Sequence, residues 1–119
     1  MKPNVFRYVA NPDAGMAPSQ FTPDSCFTSV DHSETNHTFF ASEDESVLAG
    51  VWECAPCVED IEGYPVNEMM TVLSGSVTLT TPDGQVQTFT SGDSFFIAKG
   101  APCRWEITET LKKYYLICE

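Results

Sequence analysis

Between residues 64 and 98 the chain is a series of short β-rich runs cut by turn residues at near-regular intervals, with Gly75, Gly84 and Gly92 as punctuation. A parallel α/β fold needs helical crossovers, and runs this closely spaced leave no room for them. Many short strands with Gly/Pro-rich turns instead predict an all-β sandwich or barrel. The surest strand is 67–73. Its two-residue period puts Glu68, Met70 and Val72 on one face and Asn67, Met69, Thr71 and Leu73 on the other. Gly75 is expected to turn the chain into a half-buried strand at 77–80. Pro82-Asp83-Gly84 reads as a tight hairpin, from which 86–90 returns. Beyond Ser91-Gly92-Asp93 comes the apolar run Phe95-Phe96-Ile97-Ala98, and beyond Lys99-Gly100-Ala101-Pro102 a strand with Cys103, Trp105 and Ile107 on one face. A last strand over 111–117 closes the domain. No amphipathic helix of convincing length is present.

Upstream the texture changes. Residues 1–36 carry Pro3, Pro12, Pro18 and Pro23 among Asn11, Asp13, Gly15 and Asp24, which break any helix or long strand. Phe6, Tyr8, Phe21 and Phe27 would be odd in a disordered tail. The segment is therefore expected to be an arm, with a short strand near 5–9, packing on the domain or on a second subunit. The domain itself is expected over 37–119. It opens with a β run at 38–41, an acidic turn at 42–46 and a strand at 47–54, whose Gly50 suits a close backbone approach. Ala55-Pro56-Cys57 breaks that strand, and an acidic loop at 59–63 leads to Tyr64.

A chain of 119 residues is long enough for one domain with one core. Its 42% hydrophobic and 12% aromatic content argues against wholesale disorder. The balance of 17 acidic against 6 basic residues, a formal net charge of -11, repels phosphate backbones and offers few cations. Nucleic acid is a poor partner for such a surface, and so is an anionic membrane. No apolar run approaches the ~20 residues of a membrane-spanning helix. The first residues lack the apolar core of a signal peptide, so a cytoplasmic protein is expected. Five cysteines, odd in number and scattered, fit reduced thiols better than a disulfide framework.

Glu68, then Gly75 after six residues, then Gly92-Asp93 and Gly100, resemble the double motif of the cupin superfamily. In metal cupins that motif brings three histidines and one glutamate together inside a jelly-roll barrel. A closer resemblance is to the subfamily that holds domains similar to ureidoglycine aminohydrolase and the ethanolamine-utilisation cupin, formerly a domain of unknown function. It is carried by Gly50-Val51-Trp52-Glu53, by the run from Asn67 through Glu68 to Gly75, by Gly92-Asp93, Lys99-Gly100, Trp105-Glu106 and Lys113-Tyr114-Tyr115. The resemblance runs from Gly50 to the C-terminus and implies an RmlC-like jelly roll and a homodimer. The departures fall on the metal ligands. Glu62 and Tyr64 stand where the first two histidines would be, Ala98 replaces the proline, and Cys103 replaces the last histidine. The chain's two histidines, His32 and His37, lie outside both motifs.

Two sites follow from these residues. One is a variant divalent-metal site at Glu62, Tyr64, Glu68 and Cys103. Mixed carboxylate, phenol and thiol is too soft for Mg or Mn and too hard for a structural zinc, so no cofactor is expected and the metal is kept as the alternative. The other is a metal-free pocket for an organic ligand, lined by Trp52, Glu62, Tyr64, Glu68, Met70, Cys103 and Trp105. An inward Glu68 needs a partner in either case, and a lysine or arginine would serve. Lys113 is a candidate for that role, though a lysine defaults to solvent. Cys54 and Cys57 could form a redox couple or half a zinc site, but their neighbours Glu53, Glu59 and Asp60 disfavour a thiolate. The pair reads as a turn with two small side chains. The function expected is a small-molecule-binding cupin without the three-histidine metal. The alternative is a metal-assisted aminohydrolase acting on a small ureido or amino compound, with Glu68 or Glu62 as general base.

Overall fold

The structure, a computed structural model, describes residues 4–119. Among these, eight strands follow one another along the chain: β1 (Ala17–Pro18), β2 (Glu34–Ala41), β3 (Val47–Cys54), β4 (Cys57–Ile61), β5 (Asn67–Thr80), β6 (Val86–Thr90), β7 (Ser94–Ile97) and β8 (Cys103–Cys118). A single turn of 3-10 helix stands at Asp24–Cys26. Every pairing is antiparallel. The two long strands, β5 and β8, run against each other and form the spine. The other side of β8 is taken by β4 along its first half and by β3 along its second. The other side of β5 is taken by β7 along its first half and by β6 along its second. Outward from β3 come β2 and then β1. The all-β architecture is the one that the turn spacing predicts.

Besides the acidic loop expected at 59–63, whose residues 59–61 belong to β4 and pair with β8, three local expectations need correction. The first is Gly75, which does not turn the chain. It lies inside β5, at φ +79°, where the register against β8 slips between Val72 and Val77. This is a bulge, and it resets the side-chain parity. Before it Glu68, Met70 and Val72 face the interior, and after it Val77 and Leu79 do. The second concerns the two strands expected at the C-terminus, which are one. Cys103, Trp105, Ile107, Leu111, Lys113 and Tyr115 keep one parity through β8, so nothing forces a break. The third is the short strand near 5–9, which is absent, because Phe6 and Tyr8 are held by ring contacts rather than by a ladder. Phe6 packs on Phe40 with ring centres 5.5 Å apart, and Tyr8 packs on Phe39 and Tyr114 at 5.3 and 5.1 Å. The Tyr8 hydroxyl donates to the Tyr115 carbonyl oxygen at 2.8 Å.

The core lies inside the curl of the sheet. Met70, Val72 and Val77 of β5 meet Ile107 and Leu111 of β8 there, each 0–1% exposed. Burying side chains of this size contributes about 1.5–3 kcal/mol apiece. Gly50 does suit a close approach, but of a ring as well as of backbone. A Cβ at Gly50 would collide with the Tyr115 ring and lie 2.5 Å from the His37 carbonyl oxygen. That opening lets the Tyr115 hydroxyl donate to Asn36 Oδ1 at 2.7 Å.

Candidate functional site

Register decides which side chains meet inside. On β8, Lys113 stands opposite Trp52 of β3 and Val72 of β5, and Tyr115 stands opposite Met70. The Lys113 ammonium donates to Glu68 Oε2 at 2.8 Å and lies 2.9 Å from the Met70 sulfur. The same nitrogen lies 4.8 Å from the Trp52 ring centre and 5.1 Å from that of Trp105. The two indoles meet edge to face at 6.5 Å. Lysine and glutamate are each 5% exposed. An ammonium taken out of water is thus compensated by one carboxylate and two π-faces.

Tyr64 completes the cluster from outside the strands. Its backbone is clamped to the turn before β8, the amide donating to the Ala101 carbonyl oxygen at 2.9 Å while its own carbonyl accepts from Gly100 at 2.8 Å. The phenol donates to Glu68 Oε1 at 2.7 Å. Burial, together with the neighbouring Glu68 charge, pushes the Tyr64 phenol well above its ordinary value, so it remains a donor. Both oxygens of Glu68 are therefore engaged, one by an ammonium and one by a phenol.

The expected site residues separate into two groups. Trp52, Tyr64, Glu68, Met70 and Trp105 gather around Lys113, and Cys103 joins the same core cluster. Glu62 does not join them. It is exposed and borders a surface groove of about 280 Å³ with Asp60, Pro82 and Arg104. Burial, with Glu59 nearby, pushes the Cys103 thiol up, away from the thiolate a metal would take. Of the four positions considered for a divalent cation, Glu62 thus stands apart from the other three, and the Glu68 carboxylate is already satisfied. Among the described residues no group of three or more His, Cys, Asp or Glu is placed to hold a metal. The donor set does not fit the metal of the histidine-bearing cupins.

Cys54 and Cys57 end β3 and begin β4, with Ala55 and Pro56 between them, and both are fully buried. Cys54 donates its thiol hydrogen to the Ala55 carbonyl oxygen at 3.3 Å, and the neighbouring Cys57 thiol together with burial raises the Cys54 thiol far above its ordinary range.

Sequence reasoning missed Glu34. It opens β2, is 5% exposed, and its carboxylate accepts four donors: the Ser19 hydroxyl, the amides of Phe21 (3.0 Å) and Thr22 (2.7 Å), and the Trp52 indole N–H (3.1 Å). Burial works against its charge, but these bonds outweigh it and hold the carboxyl below the usual range. All four partners are donors, so an amide in place of the carboxylate would turn its NH₂ towards at least one of them. Glu34→Gln is expected to lose about 1–3 kcal/mol at pH 7. A depressed folded value contributes stability above the ordinary carboxylate range and loses it as pH falls through that value. The gap between the native chain and the variant should therefore narrow below about pH 4.5 in urea unfolding. A gap constant from pH 7 to pH 3 would remove this account.

The comparisons with known proteins fit this geometry. A family model described as the EutQ-like cupin domain matches residues 41–115. No curated protein matches the chain. Among solved structures, a protein of unknown function of the DUF861 family from Pseudomonas syringae pv. tomato is 25% identical. Its TM-score is 0.77, over 92% of this chain and 51% of that one, so the present chain spans about half its length. The putative ethanolamine utilization protein Q of Salmonella typhimurium is 19% identical with a TM-score of 0.61, covering 73% of this chain and 70% of that one. The cupin domain of Schizosaccharomyces pombe Cnp3 is 21% identical with a TM-score of 0.57, covering 76% and 69%. Those two show the fold alone, a cupin jelly roll. By its family model, which matches more than half of its residues, the chain belongs to the EutQ-like cupin family.

Proposed function

We propose that this cupin binds a small polar molecule at the Tyr64–Glu68–Lys113 cluster, between the two indoles and without the three-histidine metal. The observation that carries the reading is the buried Lys113–Glu68 pair itself. Such a pair gives a fold little that apolar side chains would not, whereas a binding site uses it for recognition. Access supports the same reading. Tyr64, Glu68, Lys113, Trp52, Trp105 and Cys103 keep 5–9% exposure, while Met70, Val72 and Leu111 keep 0–1%. The polar cluster thus keeps slightly more exposure than the apolar floor of the core.

Because Lys113 already balances Glu68, the cluster is close to neutral. That favours a zwitterion or a neutral polar compound, such as a ureido or amino acid, over a simple cation. A carboxylate end would meet Lys113 and an amino end Glu68. The protein is also read as a homodimer. In support, Phe96, Met69 and Leu116 lie side by side on the outer face of β7, β5 and β8, at 61, 43 and 40% exposure.

The test is a thermal-shift and calorimetry screen of ureido acids, amines and sugars, each with and without Mn²⁺ or Zn²⁺. One compound class is expected to stabilise the chain without metal, and Glu68→Gln is expected to weaken that binding by about tenfold or more. Stabilisation that appears only with added metal would transfer the case to the aminohydrolase reading. Binding unchanged in Glu68→Gln would remove the site.

A further inference from the structure

We infer a second small-molecule site, separate from the barrel interior: the cleft between β1, the 3-10 turn and the start of β2, suited to a primary amine carried on a flat ring. The cleft holds about 540 Å³, within the ~300–1,000 Å³ usual for small-molecule sites. Glu34, Asp24, His32, Phe27 and Thr22 line it, and no lysine or arginine is among its lining residues. It lies wholly before residue 41, outside the part of the chain that the family model matches.

Its wall is organised rather than merely concave. The His32 ring lies flat on Phe27, with ring centres 4.8 Å apart and planes 13° apart. Its Nδ1 is 2.7 Å from Asp24 Oδ1. In the neutral ring that gives its Nδ1–H to that carboxylate, Nε2 is an acceptor, and it has no hydrogen-bond partner among the described residues. Asp24 stands at the rim with its side chain 89% exposed. Glu34 lies deeper, its charge kept by four donors. Two carboxylates on a concave wall, with no fixed cation beside them, create a negative field that selects a positive ligand. An ammonium there donates to His32 Nε2 and to the free oxygen of Asp24, while a flat ring packs beside the Phe27–His32 stack.

The cleft and the interior share a partition. Trp52 donates its N–H to Glu34 on one side and offers its ring to Lys113 on the other. Ligand in the cleft therefore bears on the indole that walls the interior cluster.

Tyramine is the probe, titrated into the full chain labelled with ¹⁵N. Saturable shifts are expected at the Phe21 and Thr22 amides and at the His32 ring. The same ring without its ammonium, 4-ethylphenol, is expected to bind about tenfold more weakly or less. Asp24→Asn and His32→Gln are each expected to weaken tyramine binding about three- to tenfold. Glu68→Gln, on the far side of Trp52, is expected to weaken tyramine binding by less than either cleft variant, which separates failure of this site from failure of the interior one. Absence of saturable shifts at Phe21 and Thr22 would overturn the inference. So would equal binding of 4-ethylphenol, indifference to both cleft variants, or shifts confined to Tyr64 and Trp105.

Discussion

Lys113→Met is expected to destabilise the fold by about 3–5 kcal/mol, the range for removing one member of a buried ion pair. In thermal unfolding at pH 7 that corresponds to a fall in Tm of about 10 °C or more. Methionine fills much of the lysine's volume, so cavity formation is a minor part of the loss. What remains behind is Glu68, 5% exposed, with the Tyr64 phenol as its one donor. One neutral hydrogen bond cannot replace the ammonium and its field inside a low-dielectric interior. The diagnostic is rescue. Adding Glu68→Gln removes the isolated charge, while Tyr64 can still donate to the amide oxygen. The double variant is therefore expected to regain at least about 2 kcal/mol over Lys113→Met alone. Urea unfolding of the four proteins in the cycle measures this. A single variant within 1 kcal/mol of the native chain, or a double variant no better than the single one, would show that the pair is not what holds the interior cluster.

How far this cluster can be read from the sequence depends on sequence separation. The inward face of β5 follows from the alternation of Glu68, Met70 and Val72, which is local and strong. The inward aromatic of β8 follows likewise from Cys103, Trp105 and Ile107. Lys113 shares that parity through Leu111 and Tyr115, yet a lone lysine in an alternating strand defaults to solvent. Its burial depends on Glu68, 45 positions away, and on two indoles contributed by different strands. Glu62 fails for the converse reason. Motif spacing assigns it a ligand position, but the chain leaves β4 at Ile61, and Glu62 falls on the exposed side of the connection. Glu34 had no local signal at all. It sits in a polar run, and its four donors come from residues 12–18 positions away. A carboxylate flanked by Thr35 and Asn36 at the start of a strand looks like any solvated edge residue.

The Gly75 bulge shows the same limit in the backbone, and it gives the other large effect. A glycine between two β runs reads as a turn, because turns and bulges both use positive φ. The contact that distinguishes them is with β8. A Cβ on Gly75 would run into the Thr110 carbonyl, lying 2.7 Å from its carbon and 2.9 Å from the Glu109 carbonyl oxygen. These are backbone atoms of the spine, so no rotamer change relieves the overlap. The left-handed conformation alone adds about 1–2 kcal/mol for a residue with a Cβ. Gly75→Ala is therefore expected to lose about 3–5 kcal/mol in total, at the large end for a point substitution. Gly84→Ala is the matched control. Gly84 has φ +86°, but nothing lies within 4 Å of its added Cβ. It should lose only the conformational part, about 1–2 kcal/mol. The difference between the two variants in urea unfolding isolates the close approach of β5 to β8. Equal losses would mean that Gly75 is needed for its φ alone and that β8 gives way. A larger loss at Gly75 would show the bulge to be the fixed point of the spine. That point sets Val77 and Leu79 inward on one side, while Glu68 stays opposite the end of β8 on the other.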